Sequence, residues 1–125
     1  MTRAIVLFAH GARDPRWAEP FEAVAARVRA GAPGCRVVLA FLELMAPTLD
    51  AAVAGLVGAG ATRIDVVPLF LGTGGHLRRD LPPLVDALRA AHPHVEFRLH
   101  AAIGEHAAVA EAMAAAAVAA AGFSE

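Results

Sequence analysis

The sequence predicts an α/β fold built around a mostly parallel, four-stranded sheet. Short apolar runs rich in valine, isoleucine and leucine, which are typical of strands buried on both faces, recur along the chain. Longer segments between these runs carry apolar residues at helical spacing. Four such strand–helix pairs with right-handed crossovers favour an open, flavodoxin-like sheet of strand order 2-1-3-4, with helices on both faces.

Each element has its own signal in the sequence. The first strand is a continuous apolar run, and Asp14 followed by Pro15 is typical of a helix start. Glycines close the first two helices, and Pro93 lies in the turn before the last strand. The predicted strands are residues 4–9, 36–44, 64–71 and 95–99; the predicted helices begin at Pro15, Leu49, Asp80 and Gly104, and end near residues 31–34, 58–60 and 91 for the first three.

Length and composition indicate one cytoplasmic domain over residues 1–125. The net charge is −1, and about a quarter of the chain is alanine, so its 58% hydrophobic content favours helix packing over a membrane location. The longest uncharged runs, residues 51–62, 66–77 and 112–124, are shorter than the ~18 apolar residues that a membrane span needs. The first residues lead straight into a strand, without a signal-peptide pattern.

Three features of the composition exclude whole classes of function. The near-neutral charge provides no basic surface for nucleic acid. Cys35 is the only cysteine, which rules out an internal disulfide and a cysteine-rich metal site. The chain has no lysine, so it has neither a P-loop lysine nor a Schiff-base lysine.

Three side chains mark a candidate site at one edge of the predicted sheet. His10 follows the first strand, Glu43 lies near the end of the second and His76 follows the third. Because parallel strands end at the same edge, we expect all three side chains to share one rim. Two imidazoles and a carboxylate suit Co²⁺, Fe²⁺, Ni²⁺ or Zn²⁺, and histidine also transfers protons near neutral pH. A single strand-end histidine more often only hydrogen-bonds a loop, and that alternative stays open.

A carboxylate inside a strand buried on both faces is costly unless it is paired or bound to metal, so Glu43 is the most informative of these residues. Arginines flank both histidines, where they can cap helices, form surface ion pairs or bind substrate carboxylates and phosphates. The helical spacing of Trp17, Phe21 and Met113 predicts core positions. The candidate substrate-binding residues are Arg13, Arg16, Gly74, Gly75, Arg78 and Arg79.

Three segments resemble the small sirohydrochlorin chelatases, the cobaltochelatases of anaerobic cobalamin synthesis and the ferrochelatases of sirohaem synthesis. These segments are HGARDP, FLELMAPTL and VPLFLGTGGHLRRDLP, and they follow the order of that family. The later segment IGEHAAVAEAM is also similar, although Ala107 replaces a proline that is usual there. The resemblance implies a chelatase-like fold and a class II chelatase, a lyase that inserts a divalent metal into sirohydrochlorin or a related tetrapyrrole without ATP.

The resemblance also implies roles for individual residues. His10 and His76 match the histidines that hold the ion and help to remove pyrrole protons, and Glu43 matches the acid that serves as ligand or proton acceptor. Co²⁺ is the favoured metal, with Fe²⁺ or Ni²⁺ as alternatives. The length is similar to the short, single-domain form, which implies a homodimer with a shared cleft and the alanine-rich last helix as one possible interface.

Two other functions are compatible with the same rim. One is a metal or tetrapyrrole carrier that binds without turnover. The other is phosphoryl transfer through a histidine, which also uses a strand-end His-Gly pair. Phosphatases of that kind need an arginine directly before the histidine, and Ala9 occupies that position here.

Overall fold

The chain forms a four-stranded parallel sheet of order β2-β1-β3-β4, which confirms the predicted strand order. The structure is a computed structural model that describes residues 2–72 and 74–123, except for the side chain of His76. The strands are β1 (Thr2–Ala9), β2 (Arg36–Phe41), β3 (Ala61–Pro68) and β4 (Glu96–Leu99); the α-helices are α1 (Glu19–Gly31), α2 (Leu49–Gly58), α3 (Gly75–Ala91) and α4 (Ala107–Ala120); two 3₁₀ turns span Pro15–Ala18 and Ile103–Glu105.

The two faces of the sheet are covered by different helices. On one face, α2 and α3 bury the apolar side chains of the central strands, and Phe8, Ile64 and Val85 lie at the centre of this core. On the other face, α1 packs over Leu7 of β1. The continuous apolar run of β1 is therefore explained, because its side chains are needed alternately on both faces.

Both edge strands are protected by an arginine from the preceding helix. Arg29 of α1 donates two hydrogen bonds, of 3.2 and 3.0 Å, to the carbonyl oxygen of Val37 in β2. Arg89 of α3 donates one of 3.0 Å to the carbonyl oxygen of Phe97 in β4. Each arginine precedes its acceptor by eight residues. These guanidinium groups occupy acceptors that would otherwise pair with a strand of another molecule.

Two strands end earlier than the sequence predicts. The ladder of β2 stops at Phe41 instead of residue 44, since Leu44 adopts a left-handed conformation with φ of +67°. Glu43 therefore lies on the loop after the strand, and the expectation of a carboxylate inside a buried strand is wrong. Similarly, β3 spans Ala61–Pro68 instead of residues 64–71. It starts earlier because Ala61 already pairs with Thr2 of β1, and beyond Pro68 the amide of Leu69 donates one more hydrogen bond, of 2.8 Å, to the carbonyl of Phe8.

Three helix starts also differ from the prediction. The first helical segment opens with a 3₁₀ turn at Pro15 capped by Asp14, and α1 proper begins at Glu19. The third helix begins at Gly75 instead of residue 80, so the backbone of His76 lies in its first turn. The last helix begins at Ala107, after the second 3₁₀ turn. None of the helices among the described residues is long and apolar enough to cross a membrane.

Of the three residues predicted to lie in the core, two are packed as expected and one is not. Trp17 and Phe21 stack with ring centroids 4.5 Å apart and pack partly buried against Phe41, as expected. Met113 is half-exposed, and among the described residues of α4 none is buried. The prediction for Met113 is wrong because α4 extends away from the sheet instead of packing on it.

Candidate active site

His10 and Glu43 meet at the carboxyl edge of the sheet. His10 directly follows β1, and Glu43 comes two residues after β2, the neighbouring strand. The Nε2 atom of His10 lies 3.1 Å from Oε1 of Glu43. Both side chains are about half exposed, at 50% and 53%. The pair is therefore preformed and open to a ligand approaching the edge of the sheet.

The two loops that carry this pair are joined through their backbones. The amide of Glu43 donates a 3.0 Å hydrogen bond to the carbonyl of His10, and the amide of Leu42 donates one of 2.9 Å to Ala9. Gly11 has a φ of +98°, and a Cβ at this position would overlap the carbonyl oxygen of Glu43. A glycine after His10 is thus required for the two loops to touch, which explains the His-Gly pair in the sequence.

The end of the third strand supports the imidazole from one side. The ring of Phe70 contacts His10 edge-on, with centroids 6.3 Å apart and planes at 81°. Phe70 is itself buried and packs edge-on against Phe8 at 6.2 Å. An edge-on aromatic contact restricts the orientation of the imidazole while its nitrogens stay accessible.

The separation of the His10 and Glu43 donor atoms suits a shared metal ion. Two ligand atoms 3.1 Å apart can each lie about 2.1 Å from one ion, with an angle of about 95° between the bonds. Among the residues whose side chains are described, there is no group of three His, Cys, Asp or Glu residues that could hold a metal. The side chain of His76, the third predicted ligand, lies outside the described residues.

The candidate substrate-binding residues occupy different places around this edge. Gly74 is the N-cap of α3 and Gly75 its first residue, while Arg13 is exposed on the loop after β1. Arg79 donates a hydrogen bond to the Gly75 carbonyl within α3. Arg78 lines a small cavity between α3 and the segment after β4. All of these residues are exposed.

Arg16 is held by its neighbour Asp14, as the ion-pair alternative from the sequence anticipates. The guanidinium donates hydrogen bonds of 3.2 and 2.9 Å to the carboxylate. The side-chain and backbone hydrogen bonds from Arg16 lower the pKa of Asp14, and the same pairing raises the pKa of Arg16. The side chain of Arg16 is 82% exposed, and its pairing with Asp14 leaves it less available to a substrate than Arg13.

A buried carboxylate that the sequence analysis overlooked lies in the middle of β3. Asp65 is 5% exposed and accepts a 2.8 Å hydrogen bond from Nε2 of His100; Arg63 contacts it at 3.3 Å and Arg3 at 3.6 Å. Burial raises the pKa of Asp65, but the hydrogen bonds and charges of His100 and Arg63 outweigh it, so the pKa falls below its usual 3.8. Asp65 pairs in register with Ile5, far from the edge, so its role is structural. The sequence did contain a signal for this residue, because Asp65 is a carboxylate within an apolar run.

Together, the fold and the edge define a class of protein: an open α/β sheet that presents an exposed histidine–carboxylate pair at its carboxyl edge. A family model described as CbiX matches residues 4–120. The chain belongs to the CbiX family.

Relatives with a curated name point to the same chemistry. The chain is 33% identical over 81 residues to the sirohydrochlorin cobaltochelatase of Methanosarcina acetivorans, covering 65% of this chain and 62% of the relative. It is 31% identical over 93 residues to the sirohydrochlorin ferrochelatase of Priestia megaterium, covering 74% of this chain and 35% of the relative. The matched region thus spans less than two thirds of either relative.

Solved structures share the fold over nearly the whole chain. A CbiX protein from Marinobacter aquaeolei VT8, assigned to cobalamin (vitamin B12) biosynthesis, superposes with a TM-score of 0.82 at 36% identity, covering 92% of this chain and 93% of that one. The sirohydrochlorin chelatase SirB from Bacillus subtilis subspecies spizizenii, in complex with cobalt, gives a TM-score of 0.79 at 29% identity. The match covers 90% of this chain and 48% of the SirB chain.

Proposed function

We propose that this protein inserts a divalent metal ion into sirohydrochlorin or a closely related tetrapyrrole. The observation that carries the proposal is the preformed pair of His10 and Glu43, 3.1 Å apart and half exposed at the carboxyl edge of the sheet. Membership of the CbiX family and the chelatase names of its relatives support the same substrate class. Co²⁺ is the favoured metal, and Fe²⁺ and Ni²⁺ are the alternatives.

The chemistry of insertion explains why this pair is suitable. A divalent ion displaces two pyrrole N–H protons, so the reaction needs a place for the ion and acceptors for two protons. The imidazole of His10 and the carboxylate of Glu43 can serve in both capacities, because each binds either a metal or a proton. The ion exchanges water ligands for protein and then macrocycle nitrogens, and no step requires ATP.

The remaining parts of the site complete this proposal. The backbone of His76 lies in the first turn of α3, at the same edge, and His76 is the proposed second histidine ligand. The glycines Gly74 and Gly75 and the arginines Arg13, Arg16, Arg78 and Arg79 are proposed to meet the acidic side chains of the macrocycle. A four-stranded sheet offers one wall to a large flat substrate, so we propose that two copies enclose it as a homodimer. The cytoplasm stays the predicted location.

Anaerobic absorbance spectroscopy tests the function directly. Sirohydrochlorin is mixed with Co²⁺, Fe²⁺ or Ni²⁺, and the rate of metal insertion is recorded with and without the protein. We expect acceleration over the protein-free rate, reduced by at least about 100-fold in His10→Ala and Glu43→Gln, which remove a proton acceptor. His94→Ala, which removes an exposed histidine from a distant turn, serves as the matched control.

Three results contradict the proposal. If the protein does not accelerate insertion of any of the three metals, it is not a chelatase for this substrate. If it binds metal or macrocycle tightly without accelerating insertion, the carrier function is correct instead. Insertion that is fast in the wild type and unchanged in both variants assigns the chemistry to other residues.

A further inference from the structure

The short segment between β4 and α4 packs against the body of the sheet, although it carries none of the candidate site residues. The amide of His100, at its start, donates a 3.0 Å hydrogen bond to the carbonyl of Val66 in β3. Ala102 is 2% exposed and belongs to the main core, and the 3₁₀ turn Ile103–Glu105 follows it directly. The segment is therefore anchored to the sheet and the core before it reaches α4.

Gly104 of this segment lies directly against the loop that follows β3. Its amide donates a 2.9 Å hydrogen bond to the carbonyl of Phe70. A Cβ at this position would overlap the carbonyl oxygen and the Cα atom of Leu71. Because Gly104 does not adopt a positive φ, the position requires the absence of a side chain and not the conformational freedom of glycine. The two backbones are thus in direct contact.

The loop after β3 is held from two directions. The amide of Leu69 donates a 2.8 Å hydrogen bond to the carbonyl of Phe8 in β1, and the carbonyl of Phe70 accepts the bond from Gly104. The side chain of Phe70 is 8% exposed and packs edge-on against Phe8, with ring centroids 6.2 Å apart. Since its backbone and its side chain are both fixed, the ring of Phe70 provides a rigid surface.

This rigid ring contacts the imidazole of His10. The two ring centroids lie 6.3 Å apart, with the planes at 81°. A side chain that is half exposed, as His10 is, samples several rotamers unless a neighbour restricts it. Rotation of the imidazole would carry Nε2 away from Oε1 of Glu43, which lies 3.1 Å from it. The orientation of His10 therefore depends on the ring beside it.

We propose that Phe70 and Gly104 are positioning residues for His10. Gly104 fixes the backbone of Phe70, and the ring of Phe70 holds the imidazole facing Glu43. Both residues act through His10 and take no part in the chemistry themselves. The inference rests on the proposed function, because His10 is the residue proposed to bind the ion and accept a proton. It also assigns a role to the sequence IGEH, which the candidate site leaves unexplained.

Nuclear magnetic resonance of the metal-free protein tests the role of Phe70 without any reaction. The three-bond couplings between Hα and Hβ of His10 report its χ1 distribution, and they are compared in the wild type, Phe70→Leu and Phe97→Leu. Phe97 is a matched control, because it is also a buried core phenylalanine and its ring lies 6.3 Å from that of His92, on a strand that is not adjacent to β1. We expect one dominant rotamer in the wild type and in Phe97→Leu, and averaged couplings in Phe70→Leu.

Gly104→Ala tests the second positioning residue in the same way. Gly55→Ala is its control, because a Cβ on Gly55 would meet no described atom within 4 Å. We expect averaged His10 couplings in Gly104→Ala only. In the wild type, the amide of Gly104 should be protected from hydrogen exchange by its bond to Phe70, and this measurement tests the contact even if Gly104→Ala does not fold.

The insertion assay then shows whether the orientation matters for the reaction. At saturating Co²⁺ and sirohydrochlorin, Phe70→Leu and Gly104→Ala should lower kcat by about 3–10-fold, as expected for the loss of one fixed side-chain orientation. Phe97→Leu and Gly55→Ala should retain the wild-type rate. Averaged couplings together with an unchanged rate would overturn the inference.

The couplings alone can also overturn it. If they are unchanged in Phe70→Leu, the ring does not hold the imidazole, and if they average equally in Phe97→Leu, the loss of core packing is the cause. Rapid exchange of the Gly104 amide, or unchanged couplings in a folded Gly104→Ala, removes Gly104 from the proposal. The couplings need neither metal nor tetrapyrrole, so a protein that shows the expected couplings but inserts no metal removes the proposed function and leaves the orientation of His10 by Phe70 standing.

Discussion

Replacing Gly11 by alanine tests whether the close approach of two loops positions the active site. Gly11 has a φ of +98°, and its added Cβ would overlap the carbonyl oxygen of Glu43. Gly60 has the same φ of +98°, but a Cβ there meets no atom within 4 Å. Gly60→Ala therefore measures the backbone strain alone, and the difference between the two variants measures the steric conflict with Glu43.

The two variants are expected to lose clearly different amounts of stability. A left-handed conformation costs alanine about 1–2 kcal/mol, so Gly60→Ala should lose that much stability. In Gly11→Ala the loop of Glu43 must also move. The shift weakens the hydrogen bonds from Glu43 to His10 (3.0 Å) and from Met45 to Glu43 (2.8 Å), each worth about 1 kcal/mol. We expect a total loss of about 3–5 kcal/mol when strain in the displaced loop is added.

Urea unfolding followed by circular dichroism gives both free energies, and the insertion assay gives the rates. Gly11→Ala should also insert metal at least about tenfold more slowly, because displacement of the loop separates Glu43 from His10. Gly60→Ala should retain the wild-type rate. If the two variants lose the same stability, or if Gly11→Ala is destabilised but fully active, the close approach of the two loops does not position the site.

Three other predictions concern the helix cap at Thr48, the edge strand β2 and the buried carboxylate of Asp65. Thr48→Ala removes the side-chain cap of α2 and should cost about 1 kcal/mol in urea unfolding, whereas Thr48→Ser should cost little; equal losses would contradict the capping role. Arg29→Ala should raise light scattering on incubation, because it frees a carbonyl on the edge strand β2, and Arg27→Ala is the control of equal charge. Asp65→Asn should cost about 1–3 kcal/mol at pH 7. Because the pKa of Asp65 is lowered in the folded state, that contribution is present above about pH 4 and disappears as the pH falls further. The gap in stability between wild type and Asp65→Asn should therefore narrow below pH 4, and a constant gap would contradict this assignment.

The sheet could be predicted from the sequence because its strands have no other interpretation. The run of residues 4–9 is too short to be a buried helix. It is also apolar without alternation, which fits a strand covered on both faces. Once four strand–helix pairs are recognised, right-handed crossovers leave few strand orders, and the observed order follows. The meeting of His10 and Glu43 is a consequence of that order, since β1 and β2 are neighbours.

The ends of the elements could not be predicted, because hydrophobicity continues where pairing stops. The apolar residues after Phe41 and Pro68 extend each run, but Leu44 turns into a left-handed conformation and Leu71 is exposed. Likewise, prolines usually mark the first turn of a helix, whereas Pro82 and Pro83 lie well inside α3. These departures lie at the carboxyl edge of the sheet or in the helix that follows it. In this region the backbone conformation is determined by the geometry of the site more than by local sequence preferences.

A carboxylate in an apolar run must be paired if it is buried, and in this chain that rule applies to Asp65 and not to Glu43. Glu43 is half exposed on a loop, whereas Asp65 is buried and paired with His100. The partners of Asp65 come from three different strands or their ends, and their convergence depends on the register of the sheet. A sequence pattern alone does not contain that register.

His10 and Glu43 are proposed to act as one unit in metal insertion, and a double-mutant cycle measures the coupling between them. Initial rates of Co²⁺ insertion are measured for the wild type, His10→Ala, Glu43→Gln and the double variant. Because the two side chains lie 3.1 Å apart, we predict that the double variant is about as slow as the slower single variant. If the two losses multiply, the residues act independently, and the account of a shared site for the ion and its displaced protons is wrong.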